Sequence, residues 1–289
     1  MKQGNCCNGE CGCKAEIDPF PLKMLKIEDI EKENSNVKSF YFNHALNSHP
    51  GQFVMIWVPG FGEKPMSIAR DFGSKFQLAI ADAGSVTKAI CCTEIGQYVG
   101  IRGPLGTGFT LNGREGKKVK SIALVGGGYG SGPMASLAEL AIKEGIKPEN
   151  IHFIVGARSE DLLLFHKRLD KTGVNIHITT DDGSYGKKGR VTDALQKVLD
   201  KSKIDKICTV GPEMMMKAVY DIAEKNNVYC EVSLERYMKC GVGICGSCVV
   251  DTSGERMCVE GPVMGTEKLK KITEFGRYHR DSTGCKVMY

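Results

Sequence analysis

Four cysteines near the end of the chain restrict it more than any other feature. Cys240, Cys245, Cys248 and Cys258 are spaced x4, x2 and x9, beginning in the run C-G-V-G-I-C-G-S-C. Thiolates at x4 and x2 with a more distant fourth are the pattern that holds a 2Fe-2S cluster. Two irons sharing two sulfides need four soft anionic ligands on a tight loop, with backbone N–H groups turned toward the sulfurs. Gly241, Gly243 and Gly246 fall between the cysteines, where a side chain would obstruct that curl or a positive φ is wanted. The competing reading is a structural zinc site, whose usual signature is two separated C-x2-C knuckles. Only one C-x2-C occurs here, and its neighbour is C-x4-C. The spacing favours the cluster.

The chain has 289 residues, room for two or three modest domains. Its 39 basic and 34 acidic residues give a net charge of +5. They are interspersed, with no polybasic run, which argues against nucleic acid as a partner. The longest clean apolar run, Phe53 to Val58, is far too short to span a bilayer, so no membrane association is expected. The N-terminus has no apolar segment of the secretory kind. Thirteen cysteines in such a chain read as reduced thiols and metal ligands, and the expected compartment is the cytoplasm.

Four segments are expected. Residues 1–19 read as a thiol-rich polar tail without periodicity; the alternative is that Cys6, Cys7, Cys11 and Cys13 bind a metal or a second cluster, for which adjacent cysteines and a C-x-C are awkward. Residues 20–114 carry short strand-like runs at Val37–Phe42, Gln52–Val58, Phe76–Ile80 and Gln97–Arg102, broken by Gly, Pro and Asn. Such a pattern predicts a small antiparallel β-barrel, with one helix near Val86–Cys92. Over residues 118–229 the rhythm changes. Apolar strands at Ser121–Val125, Ile151–Val155, Asn175–Thr179, Lys206–Val210 and Val228–Val232 alternate with helical stretches at Pro133–Glu144, Asp161–Leu169, Val191–Ser202 and Glu213–Glu224. That alternation predicts an α/β domain with a parallel sheet. Residues 230–289 hold the cysteine module and a polar tail.

The first α/β strand runs into G-G-G-Y-G-S-G-P, Gly126 to Pro133, and then a helix. A glycine turn delivering a strand into a helix N-terminus suits a pyrophosphate. The strict G-x-G-x-x-G register fails, and the end of the next strand offers Gly156, Ala157 and Arg158 rather than an acid. Thr179–Gly186, which includes Asp182, and Gly211-Pro212-Glu213-Met214 lie where the carboxyl edge of the sheet should be. The plain alternative for each is a turn with a helix cap. In the barrel, Lys64-Pro65-Met66-Ser67, Ala83-Gly84-Ser85-Val86-Thr87 and Gly103-Pro104-Leu105-Gly106 read by composition as loops and caps. The six histidines form no metal motif, and no G-x-S-x-G marks a serine nucleophile.

Barrel, nucleotide-type sheet and cysteine loop in this order resemble the ferredoxin–NADP reductase superfamily, over about residues 20–265. More narrowly, the chain looks like the electron-transfer subunits of NAD-dependent dihydroorotate dehydrogenases. The resemblance implies FAD, a 2Fe-2S cluster and NAD as cofactors. The family's R-P-x-S flavin signature matches Lys64, Pro65, Met66 and Ser67, with lysine replacing arginine. Further flavin contacts would fall at Ala79, Ile80 and Ala81 and at Gly84, Ser85, Val86 and Thr87. Pyridine-nucleotide contacts would fall at Gly126, Gly127, Gly128 and Gly130, at Arg158 and Asp182, and at Gly211, Pro212 and Met214. The four cysteines match all four cluster ligands, and R-M-C-V-E-G-P-V, Arg256 to Val263, is also family-like. The implied partner is an FMN-containing catalytic subunit of dihydroorotate dehydrogenase in a hetero-oligomer of pyrimidine biosynthesis. Arg158 leaves NADP open, and the resemblance favours NAD. The alternative within the superfamily is the small subunit of an NADH-dependent ferredoxin:NADP oxidoreductase or sulfide dehydrogenase. The alternative outside it is a zinc-stabilised binding protein.

Overall fold

A computed structural model describes residues 21–289; the thiol-rich segment with Cys6, Cys7, Cys11 and Cys13 lies outside them. The first half is a seven-stranded antiparallel sheet rolled into a barrel. Its strands are β1 (Lys23–Lys26), β2 (Asp29–Lys32), β3 (Val37–Phe42), β4 (Phe53–Val58), β5 (Gly62–Asp71), β6 (Phe76–Ala81) and β7 (Tyr98–Leu105). They are ordered β1-β7-β4-β5-β6-β3-β2, and helix α1 (Ser85–Cys91) packs on β5 and β6. The interior is filled by Phe40, Phe42, Val54, Ile56, Leu78, Ile80, Val99 and Ile101.

β4 explains the uninterrupted apolar run. Side chains alternate between the faces of a strand, so Val54, Ile56 and Val58 enter the barrel core. Phe53 and Met55 point the other way, into a core shared with Leu105, Met238, Cys248 and Cys258. Both faces are dry because the cysteine module covers the outer one.

The second half is a sheet of β8 (Ile122–Gly127), β9 (Ile151–Ala157), β10 (Asn175–Thr180), β11 (Lys187–Lys188), β12 (Lys206–Val210), β13 (Tyr229–Ser233) and β14 (Val263–Gly265). The order is β11-β10-β9-β8-β12-β13-β14, parallel except for β14. Helix α2 (Ser131–Lys143) covers one face, against Ile122 and Leu124. Helices α3 (Val191–Lys201) and α4 (Glu213–Lys225) cover the other, against Ala123 and Val125. The antiparallel strand β14 brings the C-terminal segment back to this sheet after the cysteine loop. A short helix, α5 (Thr266–Leu269), and a hairpin of β15 (Tyr278–Arg280) and β16 (Lys286–Met288) finish the chain. Among the described residues no helix is long and apolar enough to cross a membrane.

Two local expectations fail. Asp161–Leu169 is not a helix: one 3-10 turn, Glu160–Leu162, gives way to further turns, and Phe165 sits at φ +55°. Leu163, Leu164 and Leu169 are buried, which mimics a helical stripe. Arg168 holds the segment instead, donating to Glu139, to Ser136 Oγ at 2.9 Å and to the Ala69 carbonyl at 3.1 Å. Lys64–Ser67 is not a loop before a strand but lies inside β5. There β5 pairs only with β4, and its pairing with β6 begins at Ile68. Pro65 therefore sits where the strand has an edge without a ladder partner, where a missing N–H is tolerated.

The linker between the halves is latched by a buried charge. Lys206 on β12 is fully buried, and its ammonium lies 2.8 Å from Glu231 Oε1. It also donates to the Thr110 carbonyl (2.7 Å), Thr110 Oγ1 (2.8 Å) and the Asn112 carbonyl (2.8 Å). Lys206→Met leaves the buried Glu231 carboxylate without its counter-ion and the linker carbonyls without their ammonium donor. It should lower the unfolding free energy by about 3–5 kcal/mol in chemical denaturation, whereas an exposed lysine such as Lys117 replaced by Met should change it by less than about 0.5 kcal/mol.

Candidate functional site

The divergence of β5 from β6 opens the barrel wall. On one side of the gap run Lys64 to Ser67, paired only with β4; on the other run Ala79 to Ala81, paired only with β3. The start of α1 stands beside it, with Gly84 and Ser85 exposed and Val86 buried. The three segments to which the resemblance assigns flavin contacts thus border one opening. Their side chains do different things. Ser67 is exposed. The Lys64 ammonium lies over the ring of Tyr237, 4.5 Å from its centroid. Thr87 Oγ1 is used locally, accepting from the amides of Ala83 (3.0 Å) and Gly84 (2.9 Å) and donating to the Gly84 carbonyl. It caps α1, as the plain reading of that stretch has it.

At the carboxyl edge of the parallel sheet, β8 and β12 lie side by side where the strand order reverses, the place where open α/β sheets form their crevice. The loops leaving these two strands are packed on each other. A Cβ on Gly130 would stand 2.2 Å from the Val210 carbonyl oxygen, and one on Gly127 would stand 2.6 Å from Met215 Sδ. Gly126 is equally confined, by Ser131. Gly127 and Gly130 are therefore demanded by loop-to-loop packing, and Gly126 by the close return of its own turn at Ser131. Gly128, with φ +55° and open space around it, and the exposed Tyr129 form the free face. Gly211 packs on Gly127, Pro212 precedes α4, and Met214 is exposed. Arg158 lies one residue beyond β9 and Asp182 two residues beyond the adjacent β10, and both are exposed. The Asp182 carboxylate, held below its ordinary range first of all by the Ser184 hydroxyl, closes its own turn, accepting from Ser184 N at 2.9 Å and Ser184 Oγ at 2.6 Å. Glu213 does not serve as a simple first-turn acid: it is buried and binds Arg236 at 3.0 and 3.1 Å.

The cysteine loop curls as its glycines require. Gly241, Gly243 and Gly246 have φ of +72°, +82° and +72°. Gly241 rests on the barrel, where a Cβ would stand 2.8 Å from Met55 Cγ and 3.2 Å from Leu105 Cδ1. Three amides face sulfur: Gly243 N to Cys258 Sγ at 3.2 Å, and Ile244 N and Cys245 N to Cys240 Sγ at 3.3 and 3.4 Å. Cys248 and Cys258 are buried, their sulfurs 3.3 Å apart, whereas Cys245 and Ile244 are exposed.

These surroundings favour thiolate at two positions. A hydrogen bond from the Ser247 hydroxyl brings the Cys245 thiol down to about 6. The hydrogen bond with Cys258 brings Cys248 to about 6 and pushes Cys258 up. By contrast, burial pushes up Cys208 and Cys230 inside the parallel sheet, where they are inert apolar filling. Among the described residues no group of three His, Cys, Asp or Glu side chains is already gathered as a metal site. Anionic sulfurs, amides directed at them and a loop open on one side fit a cluster of two irons with two thiolates each.

Sequence reasoning missed three contributors. Met55 and Leu105 form the floor beneath Gly241, Tyr237 receives Lys64, and Arg256 with Glu260 braces the loop from outside. Only the last pair carried a signal, as part of the R-M-C-V-E-G-P-V run.

Comparison with known proteins agrees with this geometry. Residues 235–270 match the iron-sulfur cluster binding domain of dihydroorotate dehydrogenase B. Residues 124–221 match the oxidoreductase NAD-binding domain. The probable dihydroorotate dehydrogenase B (NAD+) electron transfer subunit of Methanocaldococcus jannaschii is 43% identical over 266 residues, covering 92% of this chain and 98% of the relative. Its counterpart in Methanothermobacter thermautotrophicus is 42% identical, covering 92% and 97%. Among solved structures, an NADH-dependent reduced ferredoxin–NADP oxidoreductase superposes with a TM-score of 0.74 at 28% identity, over 87% of this chain and 93% of that one. The cytochrome b5 reductase domain of Ulva prolifera nitrate reductase shares the fold at a TM-score of 0.60 and 19% identity, over 72% and 93%. On this identity, over nearly the full length of both sequences, the chain belongs to the family of dihydroorotate dehydrogenase B electron transfer subunits.

Proposed function

We propose that this chain is an oxidoreductase subunit that carries electrons from an FMN-containing dihydroorotate dehydrogenase subunit to NAD+, using bound FAD and a 2Fe-2S cluster. The observation that carries the reading is the seating of the four-cysteine loop on β4 and β7, next to the strand that borders the barrel opening. A nicotinamide exchanges two electrons as hydride and an iron–sulfur cluster exchanges one at a time, and a bound flavin handles both.

The residues divide that work. Cys240, Cys245, Cys248 and Cys258 hold the irons. Ser67 and the backbone of Ala79, Ile80 and Ala81 flank the flavin ring, while Lys64 supplies positive charge toward its pyrophosphate, along with Pro65, Met66 and the Gly84–Thr87 turn. Lysine does this without the planar fork of an arginine. The β8 turn with Gly126, Gly127, Gly128 and Gly130, together with Gly211, Pro212 and Met214, frames the pyridine nucleotide at the helix terminus. Arg158 and Asp182 border its ribose end, and we assign NAD rather than NADP. Exposed Cys245 and Ile244 make that side of the loop the electron entry. The dihydroorotate chemistry belongs to the partner subunit, in a cytoplasmic hetero-oligomer of pyrimidine biosynthesis.

The likeness to the NADH-dependent reduced ferredoxin–NADP oxidoreductase supports a second reading, as the small subunit of such an enzyme. Four cysteine ligands favour the first.

Co-expression with the FMN-containing subunit should give a complex that reduces NAD+ with dihydroorotate. A complex that reduces NADP+ with ferredoxin and ignores dihydroorotate would contradict the assignment. Cys245→Ala should leave the flavin absorbance and its bleaching by NADH intact while removing the cluster bands. Dihydroorotate-driven NAD+ reduction should fall at least as far as the roughly 10–100-fold that follows loss of an outer partner of a metal ligand.

A further inference from the structure

Arg256 is neither a ligand nor part of any cofactor contact assigned above, yet its guanidinium reaches the cysteine loop. Nη1 donates to the Gly243 carbonyl at 3.1 Å. The same peptide group carries the Ile244 amide, which donates to Cys240 Sγ at 3.3 Å. One planar peptide unit thus has a cation at its oxygen and a ligand sulfur at its hydrogen. Hydrogen bonds in series polarise one another, so the cation makes that amide a stronger donor to the sulfur. The far side of the guanidinium is closed by Glu260, with Nε to Oε2 at 3.1 Å and Nη2 on Oε1, and the Arg256 amide donates to Oε2 at 2.7 Å. Only glycine lets this contact form. The φ of Gly243 is +82°, and a Cβ there would stand 2.7 Å from Val259 Cγ2 and 3.0 Å from Arg256 Nη1.

We propose that Arg256 and Glu260 set the reduction potential of the cluster through the Gly243–Ile244 peptide. Arg256 acts as a positioning and polarising residue, and Glu260 attenuates it. The proposal rests on the assignment of the four cysteines as cluster ligands. Reduction adds one electron to the centre, and therefore one unit of negative charge, with no bond made or broken. Donors to the sulfurs favour that added charge and raise the potential. Arg256 therefore favours the reduced state, and the carboxylate of Glu260 opposes it.

A purely mechanical brace has the same contacts but different consequences. The pair is partly exposed, with side chains 40% and 31% accessible, so as a salt bridge it adds little to stability. As a brace alone, losing either partner loosens the same loop, and both variants shift the potential in one direction. The polarising role requires shifts of opposite sign.

The test is an anaerobic redox titration of the flavin- and cluster-loaded protein, following the cluster by electron paramagnetic resonance, for the wild type, Arg256→Gln and Glu260→Gln. At a fixed potential near the wild-type midpoint, Arg256→Gln should raise the oxidised-to-reduced ratio about threefold. Glu260→Gln should lower it by a similar factor. Each corresponds to about 30 mV at 59 mV per tenfold for a one-electron couple. The flavin midpoints should stay in place. Arg256→Lys, which keeps the charge, should retain part of the effect. Shifts of the same sign in both variants, or no shift in either, overturn the proposal. Should Arg256→Gln fail to hold iron, Glu260→Gln and Arg256→Lys decide it alone: a fall or no change in potential in the Glu260→Gln variant overturns it. A wild-type protein with iron absent and no cluster signal would instead overturn the ligand assignment beneath it.

Discussion

The structure depends on one strand being dry on both sides. β4 sends Val54 and Ile56 into the barrel and Phe53 and Met55 outward, and the outward pair is covered only because the cysteine loop lies upon it. Gly241 makes that approach possible, since any side chain there would collide with Met55. Barrel folding and placement of the loop are therefore one packing problem. The four-cysteine loop is positioned by the hydrophobic effect on the wall of the adjacent domain, with Met55 buried to 0% accessibility. Burying a side chain of that size contributes roughly 1.5–3 kcal/mol.

Buried charges complete the assembly where apolar contact ends. Arg236, just before the cysteine loop, binds Glu213 at the start of α4 and Glu274 beyond α5. Glu213 also accepts from the Gly276 amide at 3.1 Å, and Glu274 accepts from the Asp251 amide at 3.0 Å. The lone pairs of both carboxylates are engaged, the condition under which a buried ion pair is tolerated. Lys206 does the same for the linker between barrel and sheet. Arg168 joins the Ala69 carbonyl of β5 to α2. These three cations lock the barrel, the parallel sheet and the cysteine module into one geometry. A relay needs that, because electron transfer between bound groups depends on fixed separations.

What a reader of the sequence can see, and what stays hidden, divides along physical lines. The cysteine spacing, the change from short broken strands to strand–helix alternation, and the β8 glycine turn are local patterns, and local patterns survive in one dimension. Lys206–Val210 reads as a strand and forms one over those residues. The stretch Asp161–Leu169 misleads because Leu163, Leu164 and Leu169 are buried by tertiary contact, while the backbone turns at Phe165. Pro65 hides β5, since proline in a strand is tolerable only where the sheet lacks a neighbour, and that gap appears only in three dimensions. Glu213 looks like a helix-start acid because its partner Arg236 is remote in sequence. The floor beneath Gly241 has no sequence signal: Met55 and Leu105 are ordinary strand residues until the loop folds onto them.

The central claim is that the pyridine nucleotide, the flavin and the four-cysteine centre exchange electrons inside this one chain. The most direct measurement is electron paramagnetic resonance on anaerobic protein frozen after mixing with excess NADH and no partner subunit. The account predicts a reduced 2Fe-2S signal rising toward about one spin per flavin as the flavin absorbance bleaches. Bleaching of the flavin with iron and labile sulfur present in full, yet no cluster signal at any ageing time, would contradict it.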